Sequence, residues 1–250
     1  EASFSTDGDR GDALLDGDLQ TVWSETKSGD GHGEFLTFQV TKGVPLDRIV
    51  VAVPADEPSR AIRPPKSVYI ATDNGLYVAE MPASSTKAAT SLSFAFPAPE
   101  RTACLAITLA DAFASKNAAS AVSLAEVRGA TPFDARTPAE LAGALEGTTG
   151  DEVKAYLEHV PQERLFAVLA LYDGMGTQAK LRARGVAHER AGCLDQGAFL
   201  VARLGDEDLL VRSQARAKFE RCGKTSAPAL LAGLSTKTGP MAADLLALFV

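Results

Sequence analysis

The sequence predicts two domains of different class: an N-terminal β-sandwich followed by a C-terminal domain of α-helical repeats. Up to about Phe133, short runs rich in β-branched and aromatic residues are separated by Gly, Pro, Asp and Ser, the texture of half-buried strands and turns. After Asp134 the composition shifts to Ala, Leu, Glu and Arg with a 3.6-residue apolar period, the signature of amphipathic helices. With 46% hydrophobic residues over 250 positions, the chain carries enough apolar material for two cores. The sandwich is expected over residues 1–133 and the helical domain over 134–250.

The strands read in order as "FLTFQV", "RIVVAV", "SVYIAT", "LYVAEM", "LSFAF" and "CLAITL", with "TKGVP", "TDNG" and "FPAPE" as turns between them. Their spacing is that of an all-β sandwich. The helices read as "TPAELAGALEG", "DEVKAYLEHV", "PQERLFAVLALYD", "CLDQGAFLVARL", "DLLVRSQARAKFERCG" and "APALLAGL", with one more over "TQAKLRARGVAHER". Thr137-Pro138 and the pair Asp151-Glu152 suit helix N-termini, and Gly223 falls where a helix ends on a left-handed residue. The chain begins at Glu1 and stops within the apolar run "DLLALFV". Terminal repeats normally carry a polar cap, so a longer array truncated at its C-terminus is expected.

A net charge of −7 without a Lys/Arg cluster argues against nucleic acid and anionic membranes as partners. No apolar run approaches the ~20 residues of a membrane-spanning helix. His32, His159 and His188 are scattered, and there is no H-E-x-x-H, G-x-S-x-G, P-loop or C-x-x-C. The Asp and Glu residues single out no pair for glycoside hydrolysis. The chain is therefore read as non-catalytic.

One stretch concentrates unusual chemistry. "ALLDGDLQTVWSE", residues 13–25, combines two aspartates around a glycine with a threonine and the sole tryptophan. Ala13, Asp16-Gly17-Asp18, Thr21 and Trp23, then Arg63 ahead of "SVYIATDNG", then "AEV" at Ala125 to Val127, follow the order and spacing of the discoidin family. That galactose-binding-like fold is also seen in coagulation-factor C-type domains and bacterial carbohydrate-binding modules. The resemblance covers nearly all of residues 1–133, and "GDGHGEFLTFQV" is similar to the bacterial glycan-binding members.

The resemblance implies a structural Ca²⁺ held by the Ala13 carbonyl, Asp16, Asp18, Thr21, the Ala125 carbonyl and Glu126, with Trp23 in the core beneath. Calcium takes six to eight oxygens and tolerates mixed carboxylate, hydroxyl and carbonyl ligands. The alternative is an Asp-Gly turn held only by side-chain-to-backbone hydrogen bonds. An EF-hand is excluded, because counting from Asp7 or Asp16 puts Asp12 or Thr21 where its loop needs Gly.

For a sugar, the candidate residues are His32 in the Gly-rich loop, Arg60 and Arg63 in "DEPSRAIRPP", and Phe113 and Asn117 in "DAFASKNAAS". The arginines read equally as solvated loop charges, and Phe113 as a packed ring. Ala118, Ala119 and Ala121 stand where relatives often carry an aromatic, and "RTACLAITL" lacks the family's Tyr-Val-Arg pattern.

"GAFLVARLGDEDLLVRSQARAKFERCGKTSAPALLAGL" resembles a HEAT repeat, a ~40-residue helix pair that stacks on its neighbours; residues 137–173 fit as a divergent first repeat. Lys180, Arg182, Arg184 and Arg190 read as a solvated face, with a docking surface as the alternative. Cys193 and Cys222 stand at the start and end of a helical hairpin, where a disulfide can form; two unpaired core thiols are the alternative. Cys104 is expected free and buried in a strand.

These readings converge on a recognition protein of the bacterial envelope, extracellular, periplasmic or on the outer surface. The sandwich would bind a glycan or cell-surface ligand and the helices a protein partner. The alternatives are a purely protein-binding scaffold and an accessory module of a larger hydrolase.

Overall fold

The computed structural model describes residues 5–6, 11–25, 31–55, 62–81, 89–113, 121–190 and 197–236. The chain divides into two compact units, Glu1–Arg136 and Thr137–Val250. The division falls three residues beyond the sequence boundary because residues 131–136 close as a turn before any helix begins. The Thr131 amide donates to the Asp134 carboxylate at 2.6 Å, and the Arg136 amide to the Phe133 carbonyl at 3.0 Å.

The first unit holds β1 (Ser5–Thr6), a 3-10 turn at Gly11–Leu14, β2 (Trp23–Ser24), β3 (Phe35–Gln39), β4 (Leu46–Val53), β5 (Ile62–Arg63), β6 (Pro65–Thr72), β7 (Leu76–Glu80), β8 (Thr90–Glu100), β9 (Cys104–Ala112), β10 (Ala121–Leu124) and β11 (Glu126–Ala130). They form a five-stranded sheet ordered β1-β3-β9-β6-β7 and two three-stranded sheets, β2-β10-β5 and β11-β4-β8. Because successive strand side chains point to opposite faces, alternation in the sequence becomes alternation in burial. Leu105, Ile107 and Leu109 of β9 face inward, as do Ile49, Val51 and Val53 of β4. Side chains from all three sheets, Trp23 and Leu14 included, form one core.

The same alternation corrects the expectation for Cys104. With Leu105 inward, Cys104 points outward, and it is free and exposed. The "TDNG" turn is fixed by a buried acid. Glu100, 7% exposed, accepts from the Thr72 hydroxyl at 2.9 Å, the Asn74 amide at 2.7 Å and the Tyr77 hydroxyl at 3.1 Å, so its carboxylate is fully solvated by protein donors.

The second unit is helical: α1 (Pro138–Ala144), α2 (Gly150–Leu157), α3 (Gln162–Leu169), α4 (Thr177–Arg190), α5 (Gly197–Arg203), α6 (Leu209–Cys222) and α7 (Ala227–Thr236). α1 starts on a capping box, with the Thr137 side chain accepting from the Glu140 amide and Glu140 returning to the Thr137 amide at 2.7 Å, which satisfies two orphan donors at once. α6 ends at Gly223, whose φ of 53° and ψ of −136° is a conformation that only glycine adopts without strain. Among helix pairs, α1 packs on α3, α2 on α4, α4 on α6 and α5 on α7. α5 also packs on α6 and α1 on α2, so alternate and consecutive helices are both neighbours.

The basic side chains of α4 are not the solvated face expected of them. Arg182 is 19% exposed in its side chain and binds Asp151 at 2.8 Å, the Leu145 carbonyl at 2.6 Å and the Gly147 carbonyl. Arg190 donates to the carbonyls of Leu157 and Val160. Arg184, 14% exposed, pairs with Asp208 at 3.0 Å, and the Lys180 ammonium lies over the Tyr172 ring. The last carbonyls of a helix have no partner within it and carry the negative end of its dipole. α1 has no basic residue in its last turn and Lys154 of α2 pairs with Glu158, and α4 supplies donors to the carbonyls at both ends.

Candidate functional site

Two places in the β unit carry the residues that the sequence singled out. The first is the turn after the 3-10 segment. Gly17 takes φ = 77°, the left-handed conformation that glycine adopts at no steric cost, and this reverses the chain so that the Asp18 amide donates to Asp16 Oδ1 at 2.7 Å. Thr21 Oγ1 then lies 3.2 Å from the Ala13 carbonyl, 2.7 Å from Asp16 Oδ2 and 2.8 Å from the Asp18 carbonyl. A hydroxyl has one proton, so it can serve one of these three acceptors. Four oxygens therefore gather here with a single donor among them, fewer than the six to eight that calcium takes.

Asp18 offers its carbonyl rather than its carboxylate, since Oδ1 accepts the Gln20 amide at 2.9 Å. The 3-10 segment packs against β11, which begins at Glu126. That side chain is 8% exposed and pairs with Arg128 at 3.1 Å. Ala125 is wholly buried, its amide bonded to the Ala52 carbonyl. Trp23 is 8% exposed and part of the core. Among the described residues no group of three or more His, Cys, Asp or Glu is placed to hold a metal; the Asp16 cluster is built mainly from carbonyl and hydroxyl oxygen.

The second place is the end of β9. His32 Nδ1 lies 2.7 Å from the Ala110 carbonyl. A carbonyl only accepts, so Nδ1 carries the proton and, in the neutral ring, Nε2 is the acceptor. Three residues on, the Phe113 amide donates to the Pro64 carbonyl at 3.4 Å, and Phe113 itself is half-buried. Pro64 follows Arg63, which stands in register with Val122 of β10. Between them Lys66 and Asp111 form an ion pair at 2.9 Å. His32 is thus tied to Ala110 of β9 and Phe113 to Pro64, the residue after Arg63, while Arg63 itself stands beside β10. Arg60, Asn117 and Cys193 lie outside the described residues. Cys222 is disulfide-bonded.

Sequence reasoning missed two features here. Glu25 is 5% exposed; its amide donates to the Val122 carbonyl at 3.0 Å, and Oε2 is enclosed with no hydrogen-bond partner among the described residues. Only its place after the tryptophan marks it in the sequence. The exposed aromatics also lie on the sheet rather than in the loops. Phe35, 64% exposed, and Tyr69 flank Thr108 across β3, β9 and β6, and strand alternation alone could have placed them outward.

Three exposed carboxylates of this unit titrate below their ordinary value. Asp16 is held below the ordinary 3.8 by the Thr21 hydroxyl first and the Asp18 amide second. Asp73 is lowered by the Ala103 amide and then the Thr102 hydroxyl, and Asp111 chiefly by its hydrogen bond from Lys66. A folded-state value below the unfolded one contributes stability that is present above the unfolded value and lost as pH falls through the folded one. Thermal melts are thus expected to be flat from pH 7 to 5 as far as these groups act, and to fall below about pH 4. Asp73→Asn should make that acid limb shallower. An unchanged limb would show that Asp73 titrates alike folded and unfolded.

No family model matches the sequence, and no curated protein matches it. Solved structures similar to part of the chain include the family 32 carbohydrate-binding module of C. perfringens NanJ, solved with galactose. It is 16% identical with a TM-score of 0.37, the match covering 52% of this chain and 91% of that one. The tandem CBM32-1 and CBM32-2 domains of Clostridium perfringens ZmpB, solved with GalNAc, are 19% identical with a TM-score of 0.39, covering 76% and 48%. The mycobacterial arabinofuranosyltransferase AftD matches at 21% identity and a TM-score of 0.41, over 54% of this chain and 11% of its own.

Proposed function

We propose that this chain is a non-catalytic recognition protein whose β unit binds a glycan at the end of β9. The observation that supports the reading is that His32 bonds Ala110 near the end of β9 and Phe113, just after it, bonds Pro64, the neighbour of Arg63. An imidazole acceptor, a guanidinium and a half-buried ring are complementary to sugar hydroxyls and to the apolar face of a pyranose. Arg60 and Asn117, which lie outside the described residues, are proposed to contribute to the same site. The Asp16 turn would hold a structural Ca²⁺ through the Ala13 and Asp18 carbonyls, Asp16 and Thr21, with Glu126 and the Ala125 carbonyl from the last strand.

The helical unit is read as an array of HEAT-like pairs that binds a protein partner. The packing of alternate helices on one another supports this, since stacked pairs place first helices on first helices and second on second. The proposed location is extracellular, periplasmic or on the outer surface of a bacterial cell. The disulfide at Cys222, for which Cys193 is the proposed partner, suits an oxidising compartment. Among the described residues no helix is long and apolar enough to cross a membrane. A protein-binding role for the sheet itself is favoured by one observation, the exposure of Phe35, Leu76 and Val78 on the five-stranded sheet.

The test is binding of the full chain to galactose and N-acetylgalactosamine by calorimetry, followed by a glycan array. Arg63→Ala is expected to weaken binding about tenfold or more, the cost of a hydrogen bond to a charged group, and His32→Ala by a few-fold, without a change in melting temperature for the exposed His32. Binding that both substitutions leave intact would move the site elsewhere. No binding to any glycan, with retention of a protein partner, would leave the scaffold reading.

A further inference from the structure

The helical unit contains a cleft that the glycan reading does not use. It is bounded by Tyr172, Arg184, Phe199, Arg203, Val211 and Gln214 and opens to solvent. Tyr172 and Phe199 form an edge-to-face pair at 5.9 Å, and the Arg203 guanidinium stacks on both, 4.5 Å and 5.3 Å from their ring centres. Arg203 is 8% exposed. Its Nη1 is held by Asp173 at 2.8 Å and Asp206 at 3.1 Å.

Two polar atoms in this lining are buried and unpaired among the described residues: Arg203 Nε, a donor, and Gln214 Oε1, an acceptor. A buried polar atom without a partner costs about 1–3 kcal/mol, and this cleft carries one of each kind. The electrostatics select the charge of an occupant. Arg184 and Arg203 are already faced by Asp208, Asp173 and Asp206, so an anion finds no uncompensated cation here, and a cation meets two guanidinium groups. The rings and Val211 supply apolar contact.

The geometry points to a binding site for a neutral group that accepts one hydrogen bond and donates one from an apolar stem, as a carboxamide or an alcohol does. Arg203 Nε–H donates to the group's oxygen, Gln214 Oε1 accepts its proton, and the stem lies against Tyr172 and Phe199. The inference is independent of the glycan reading, since it concerns the other unit.

The test is a titration of the ¹⁵N-labelled full chain with propionamide, 1-propanol and propionate, reading the Arg203 Nε–H and Gln214 side-chain signals. Propionamide or 1-propanol is expected to shift both signals saturably, the stronger of the two identifying the group, while propionate is at least tenfold weaker. Gln214→Met should weaken the neutral probe at least tenfold. Gln214→Glu, which pairs with Arg203 Nε and fills both needs internally, should block the probe and raise the melting temperature. The proposal is overturned if neither neutral probe saturates, if propionate binds as well, or if Gln214→Glu binds the probe like the natural chain. It is equally overturned if a bridging water remains in place at saturating probe.

Discussion

Gly150→Ala is expected to destabilise the helical unit by about 3 kcal/mol, the upper range for an overpacked site, and to lower its melting temperature on the order of 10 °C. A Cβ at Gly150 would stand 2.5 Å from the Leu145 carbonyl oxygen and collide with the Arg182 guanidinium. Neither neighbour can give way cheaply, because the carbonyl is backbone and Arg182 is the group that binds it. Moving Arg182 aside takes its donor from the Leu145 carbonyl and leaves Asp151 without its partner. Gly143 is the control. It lies one helix earlier with nothing within 4 Å of its would-be Cβ, so Ala there should stabilise by up to about 1 kcal/mol through helix propensity. Equal melting of Gly150→Ala and the natural chain would mean that Arg182 is not held at this position in solution.

Adding calcium to chelated protein is expected to raise the melting temperature of the β unit. A ligand that binds only the folded state at a hundred times its Kd adds about 2.7 kcal/mol. Glu126→Gln should remove most of the rise, and Thr21→Val should do the same by deleting the oxygen around which the Ala13, Asp16 and Asp18 acceptors gather. Arg128→Ala separates two roles of Glu126: the loss of its ion pair alone should leave the calcium response in place. A melting curve indifferent to calcium would reduce the site to a turn held by the Asp16 and Asp18 side chains.

Much of the fold is written in the period of the apolar residues. "CLAITL" and "RIVVAV" alternate, and their inward members are the buried residues of β9 and β4. "SLAEVRG" reads as one strand, yet it breaks at Ala125 into β10 and β11, which belong to different sheets. No Gly, Pro or other turn residue stands at Ala125 to mark that break. β1, β2 and β5, two residues each, are too short for any period to register.

The acidic turn is legible because its parts are eight residues apart. The tie between His32 and Ala110 spans 78 positions and has no local signal. The basic face of α4 reads as solvated for the same reason. Nothing near Arg182 or Arg190 in the chain says that the carbonyls they bind belong to α1 and α2.

Those arginine bonds have a consequence for how the helical unit comes apart. A stack joined only through apolar contact between neighbours can fray one pair at a time. Here Arg182 and Arg190 tie the ends of α1 and α2 to α4, so neither end can loosen while α4 stays docked unless buried donors are stranded. α1, α2 and α4 are therefore expected to open as one cooperative unit, with a common opening rate in hydrogen exchange of their amides.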